Sequence, residues 1–219
     1  MNVTTLEVLV WQKLNDAGGV YYPAGVYYPA ALGALNEAQR LFVLLSLCLE
    51  ATASFPLTAN TLSYNILGTL ADFILPRRIL NSAGQQMRPA TIAELEALDS
   101  AWQYTTGTPQ RYVLRGLDWL AVYPQPPAAD TLTITYARCP VLLTGGSSLP
   151  EIRAASQYAL VNFAAWALRQ PEGGQEFAKF GGFLKEFLAE ASKVAALVKE
   201  RNKDAGFEMK GPFELERVK

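Results

Sequence analysis

The chain has 219 residues, 50% of them hydrophobic and 18% charged, and 19 Lys+Arg against 20 Asp+Glu leave a net charge of −1. That balance favours a packed body over a disordered one and excludes a basic clamp, which needs a cationic surplus to neutralise phosphates. Histidine is absent, which removes Ser-His-Asp and Cys-His nucleophilic sites and His-ligated zinc or haem.

Two cysteines, Cys48 and Cys139, are too few for a Cys₄ metal site or a secreted disulfide framework, and read as small buried hydrophobes in reducing surroundings. No basic stretch follows Met1, so no signal peptide is expected. The longest near-continuous apolar run, Leu41 to Leu49, falls well short of the ~20 residues of a membrane span. A soluble protein with no membrane contact is the expectation. Charge is uneven: residues 1–170 carry 21 charged side chains, and residues 171–219 carry 18, nine of each sign. A weakly charged body is therefore followed by a solvated, ion-pair-laced helical tail.

In chain order, Thr4 with Glu7 predicts a capping box. Leu6, Leu9, Val10 and Leu14 follow at helical spacing, and Gly18-Gly19 stops this first helix. Next, Val20-Tyr21-Tyr22-Pro23-Ala24 recurs as Val26-Tyr27-Tyr28-Pro29-Ala30. The prolines and Gly25 favour extended structure. Tyr21, Tyr22, Tyr27 and Tyr28 either cover the body or make a subunit contact, since Tyr is enriched at interface hot spots.

A second helix is expected from Ala30 to Glu50, with Leu32, Leu35, Ala38, Phe42, Leu45 and Leu49 on one face, widened by Leu41, Leu44 and Cys48. From there to Pro140 the period becomes two. Leu132, Ile134 and Tyr136 alternate with three threonines; Trp119, Ala121 and Tyr123 alternate with Leu120 and Val122; Tyr112 and Leu114 precede Gly116. These three strands read as an antiparallel meander. Ala53–Leu57, Leu62–Ile66, Phe73–Leu80 and Gln85–Arg88 are further strand candidates. A capping box at Thr91 and Glu94 interrupts them with a short helix backed by Leu95, Leu98 and Trp102.

After the loop Gly145-Gly146-Ser147-Ser148, Pro150 opens a helix whose face is Ile152, Ala155, Ala159, Phe163 and Trp166. Pro171 and Gly173-Gly174 end it. The last helix, about Gln175 to Arg201, carries an a/d seam of Phe177, Phe180, Leu184, Phe187, Ala191, Val194 and Val198. Gly181-Gly182 within it is unfavourable, each glycine costing about 1 kcal/mol against Ala. The seam packs on the preceding helix as an αα-hairpin or partly meets a neighbouring subunit. Beyond Asn202, Phe207, Met209, Phe213 and Leu215 sit among charges as apolar anchors of an extended tail.

The expected fold is thus α+β. Residues 1–50 and 141–202 form a helical bundle of N-terminal helices plus a long C-terminal helical hairpin. Residues 51–140 form an inserted antiparallel β domain, and 203–219 an extended C-terminal tail.

The sequence holds no P-loop, no dinucleotide fingerprint and no Gly-x-Ser-x-Gly. Glu94, Glu96 and Asp99 read as the ordinary acidic bias of a helix start. Asp118 beside Trp119 could line a sugar cleft but lacks an identifiable second carboxylate. Asp72 near Arg77-Arg78 reads as a structural ion pair. Catalytic, cofactor-binding and metal-binding residues are therefore expected to be none, and the protein no enzyme.

The order of the parts carries a resemblance. Leu35-Asn36-Glu37-Ala38-Gln39-Arg40 on the early helix is followed by Trp102 and by Pro109 to Tyr112. Then come Val122-Tyr123-Pro124-Gln125-Pro126, Leu132-Thr133-Ile134-Thr135-Tyr136 and Ala137-Arg138-Cys139-Pro140. Leu149-Pro150-Glu151-Ile152 and a helical hairpin with Glu172-Gly173-Gly174 complete the set. This arrangement resembles the head-to-tail adaptor (connector, or neck) proteins of tailed bacteriophages.

The resemblance implies a virion structural protein of the neck, assembled in the bacterial host cytoplasm, without cofactor. It implies a homo-oligomeric ring, typically a dodecamer, beneath the portal protein and above tail or stopper proteins, through which double-stranded DNA passes. It maps a portal-binding segment onto Phe207, Met209, Phe213 and Leu215. The doubled Val-Tyr-Tyr-Pro-Ala departs from the family pattern. Another neck role (stopper or tail completion), or a carbohydrate-binding module or His-free glycosidase around Asp118 and Trp119, are the alternatives.

Overall fold

A computed structural model describes residues 1–15, 30–169 and 174–203. Among them run five helices and seven strands, a mixed α+β chain. It divides into two compact units: residues 1–48 with those from 141 onward, and residues 49–140 between them.

In the first unit, α1 (Val3–Leu14) buries Val3, Leu6, Val10 and Leu14. Its cap is Asn2, whose Oδ1 accepts from the Thr5 backbone N–H at 2.9 Å, and not the expected Thr4. Thr4 is engaged elsewhere: its N–H and its hydroxyl both donate to the Gly146 carbonyl at 3.2 Å. The helix ends before the expected glycine pair, because Asn15 adopts a left-handed φ of 59°, a conformation its short polar side chain tolerates.

Helix α2 (Ala30–Ser46) also stops early. Leu47 turns left-handed, with φ 51°, and Glu50 already opens a strand. Ala31, Ala34, Leu35, Ala38, Phe42 and Val43 are its buried face, whereas Leu44 and Leu45 are exposed. Helix α4 (Gln157–Arg169) begins seven residues after Pro150, preceded by a 3₁₀ turn at Ala154–Ser156. Arg153, at φ −48° and ψ 136°, is extended and keeps Ile152 out of the helix. Ile152 is nevertheless buried.

Helix α5 (Gly174–Lys203) runs uninterrupted through Gly181-Gly182. Of the expected seam, Phe187 and Ala191 are buried and Phe180, Leu184, Val194 and Val198 half-buried, while the side chain of Phe177 lies outside the described ones. The Phe187 ring lies 5.9 Å from Phe42 of α2 and 4.9 Å from Phe163 of α4. One side chain on α5 thereby joins three helices.

The middle unit has two sheets. The first is ordered β1 (Glu50–Leu57), β7 (Asp130–Arg138), β3 (Phe73–Leu80); the second is β2 (Ser63–Asn65), β6 (Trp119–Tyr123), β5 (Arg111–Arg115), β4 (Arg88–Pro89). This corrects the meander. β5 and β6 do pair, but β7 leaves them to run between β1 and β3. β4 pairs parallel to β5, so the second sheet is mixed.

Both sheets feed one core, in which Phe55, Ile79, Leu120, Val122, Leu132 and Ile134 are almost fully buried. A second cluster of Leu95, Trp102, Val113 and Ala121 fills the other side of β5 and β6. Helix α3 (Ile92–Leu98) supplies Leu95, and its expected capping box is present: Thr91 Oγ1 accepts from Glu94 N–H and Glu94 answers to Thr91 N–H. Leu98, expected in this core, is 54% exposed. The strand β6 is buried on both faces because each face has its own cluster, which is why Leu120, Ala121 and Val122 are apolar in succession.

Two variants test this account. Phe187→Ala should lower stability by about 3–5 kcal/mol, read by denaturant unfolding. Gly182→Ala should raise it by at most about 1 kcal/mol, since a Cβ there meets nothing within 4 Å.

Candidate functional site

The residues that carried the resemblance on α2 have a structural task. Asn36 donates from Nδ2 to the Leu143 carbonyl at 3.0 Å and accepts the Leu143 N–H at 2.8 Å. Gln39, one turn on and almost fully buried, donates to the Val141 carbonyl at 3.0 Å and accepts from the Glu151 N–H at 3.1 Å. Glu151 closes the set by accepting the Val141 N–H at 2.8 Å. Spacing of i, i+3 puts both amides on one helix face. Each uses a donor and an acceptor, so an irregular segment finds partners without forming a strand.

The clamp holds residues 141–151 with Leu143 and Pro150 buried, while Val141, Leu142 and Leu149 are each about two-thirds exposed. The start of α1 grips the same segment, with Val3 N–H donating to Ser148 O at 3.0 Å beside the Thr4 bonds. Farther along, Lys13 of α1 donates to Asn162 Oδ1, and Asn162 donates to Glu186 of α5 at 2.8 Å. The Lys13 ammonium sits 4.6 Å from the Tyr158 ring centre and 4.2 Å from that of Phe183. Ser156 donates to Glu190 at 3.0 Å. These bonds fix α5 against α4 and leave Leu188 and Leu197 of α5 substantially exposed.

The candidate chemical groups are structural in their geometry. Asp99 accepts from the Thr105 hydroxyl, from Ala101 N–H at 2.9 Å and from the Tyr123 hydroxyl at 3.2 Å. These bonds hold its carboxyl below the ordinary 3.8, and burial together with the Asp99 contact raises the Tyr123 phenol. Bonds from Thr91 likewise lower Glu94 from 4.5. Asp72 accepts from the Tyr136 hydroxyl at 2.9 Å, while buried Arg77 lies 3.6 Å from Glu50. The expected Asp72–Arg pair is thus replaced by a tyrosine–carboxylate bond.

Trp119 is 47% exposed and borders a shallow depression with Ser63 and Arg115, whose described lining residues carry no carboxylate. Among the described residues no cluster of His, Cys, Asp or Glu could hold a metal, and no helix is long and apolar enough to cross a membrane. Cys48 and Cys139 are free and half-buried, and burial raises the Cys48 thiol above its ordinary 9.0.

The first unit, then, presents apolar side chains at its surface, Val141, Leu142, Leu149, Leu188 and Leu197 among them. The family model described as SU10 adaptor protein matches residues 1–205. The chain belongs to that family of phage head-to-tail adaptors. Its members are virion structural proteins, in keeping with an apolar contact surface. No curated protein matches the chain. The family match takes in both units and all of α5, and stops before Phe207, so the four tail anchors lie beyond it.

Tyr21, Tyr22, Tyr27 and Tyr28, with Phe207, Met209, Phe213 and Leu215, lie outside the described residues. Sequence reasoning missed the clamp, since nothing in Asn36 or Gln39 announces partners more than a hundred residues away. The i, i+3 spacing of two amides on an otherwise apolar helix face was the available signal.

Two outcomes follow. Gln39→Leu should destabilise the fold by about 1–3 kcal/mol, the cost of orphaning buried backbone groups, with hydrogen exchange accelerating at 141 and 151. On acidification, the contributions of Glu94 and Asp99 are full above their ordinary pKa values of 4.5 and 3.8 and are lost as pH falls through the lower folded-state values. Glu94→Gln should flatten that acid limb in pH-dependent melting.

Proposed function

We propose that the chain is the head-to-tail adaptor of a tailed phage, forming a ring under the portal that joins capsid to tail and lets the genome pass. The observation that carries this reading is the family match across residues 1–205. Charge supports it: a channel lining must not hold the duplex, and a chain with net charge −1 has no surplus to bind phosphates tightly. DNA passage is then transient and independent of sequence.

A ring needs a heterologous contact, one patch meeting a different patch on the next copy. The helical body, read as a bundle with a C-terminal helical hairpin, and Tyr21, Tyr22, Tyr27 and Tyr28 supply that contact in this proposal. Residues 49–140 act as a separate inserted domain. The tail anchors Phe207, Met209, Phe213 and Leu215 order on docking to the portal, and the opposite end of the ring meets tail or stopper proteins. The assembled copy number is twelve, and the site of action is the virion neck, reached from the host cytoplasm.

Native mass spectrometry of the chain with purified portal rings tests this. Addition of twelve copies per portal is the expected result; a chain that ignores portal and binds an isolated stopper or tail ring instead would replace it. Truncation after Lys203 should abolish portal association while leaving the melting temperature unchanged.

A further inference from the structure

The two long edges of the first sheet are treated differently. β3 is guarded. Its register with β7 shifts twice, between Phe73 and Leu75 and between Pro76 and Arg78. Its outward carbonyl at Ile79 accepts the Met87 N–H at 2.9 Å, and Leu80 bridges Gln86. The edges of the second sheet, β2 and β4, are only three and two residues long. β1 has none of these devices. It pairs with β7 in unbroken register over eight residues, and its edge carries no lysine.

The direction of its free groups follows from the register. Arg138 N–H donates to Leu49 O at 3.1 Å, and these two residues continue the register directly opposite one another. In an antiparallel pair, opposed residues alternate between bonded and unbonded. Ala51, Ala53, Phe55 and Leu57 therefore bond to β7. Glu50, Thr52 and Ser54 point both N–H and C=O away from the sheet, and Pro56 presents a carbonyl alone. Among the described residues nothing pairs with this edge. Beside it, Ala51 and Ala53 are only half-buried against the core, while Thr52 and Ser54 are exposed on the other face.

We propose that this edge is a self-association surface whose occupant is the same edge of a second copy, β1 against β1 antiparallel about a two-fold axis at Thr52. The strand meets its own requirements. With Thr52 opposite Thr52 of the second copy, Glu50 faces Ser54, so no like charges oppose. Ala51 faces Ala53, closing both half-buried positions with side chains small enough for an unbonded pair, where Cα atoms approach to about 4.5 Å. Each Pro56 falls beyond the paired stretch. Glu50, Thr52 and Ser54 of each copy exchange two hydrogen bonds with their opposites, and the two sheets become one of six strands. Such a contact is isologous, unlike that of a ring. It describes the chain outside the assembly and stands or falls separately from the adaptor reading.

Sedimentation of the full chain over a wide concentration range is the test. The wild type should shift from monomer to dimer. Thr52→Pro removes an outward N–H together with the exposed Thr52–Thr135 hydroxyl bond of 2.9 Å, and should leave the β7 backbone ladder and the circular dichroism in place while holding the chain monomeric. Thr52→Lys opposes two like charges across the axis and should do the same, which decides the matter should the proline variant fail to fold. A wild type that stays monomeric throughout, or a dimer that survives Thr52→Lys, overturns the proposal. Portal binding by the lysine variant should equal that of the wild type.

Discussion

A helical core interrupted by a β insertion has to receive the chain when it comes back. Two amides on α2 accomplish this. Asn36 and Gln39 satisfy the backbone of residues 141–151 in place of a helix or a sheet. Without them four buried or half-buried backbone groups would lose their partners, each at a cost comparable to that of a whole core methyl. The α1 cap, the position of α4 and the outward display of Val141 and Leu142 all depend on that segment holding still.

The packing then follows from few large side chains. Phe187 has neighbours on α2 and α4, and the polar bonds of Asn162 and Ser156 set the register of α5 against α4. In the middle unit, twist and pairing place two sheets around one apolar cluster and let α3 cover the far side of the second. Where carboxylates do gather at a depression, as Glu186 and Glu190 do beside Tyr158 and Lys193, they are bonded to Asn162 and Ser156. Glu94 and Asp99 are engaged in a cap and a turn, and Glu50 and Asp72 in contacts with Arg77 and Tyr136.

Local signals were legible where the interaction that sets them is local. The Thr91–Glu94 box, the alternation of β7 and the Phe187–Ala191 seam are each written within a few residues, and each is found. Boundaries failed where a left-handed residue ended a helix that its side chains would have continued, as at Leu47. The meander failed because alternation tells which face a residue takes and is silent about which strand lies beside it. β7 was assigned to its sequence neighbours and belongs between β1 and β3. The clamp escaped because its partners are separated by more than a hundred positions, and the Lys13 contacts for the same reason.

Gly146 lies on an exposed loop, where insertions and replacements are ordinarily absorbed. A Cβ at that position would stand 2.4 Å from Thr4 Oγ1, so a larger residue must turn the Thr4 hydroxyl away and break its bond to the Gly146 carbonyl. An outwardly placed loop residue is thus tied to the helix start through one hydroxyl. Drift among relatives should be freer at Ser147, its neighbour, than one step before it.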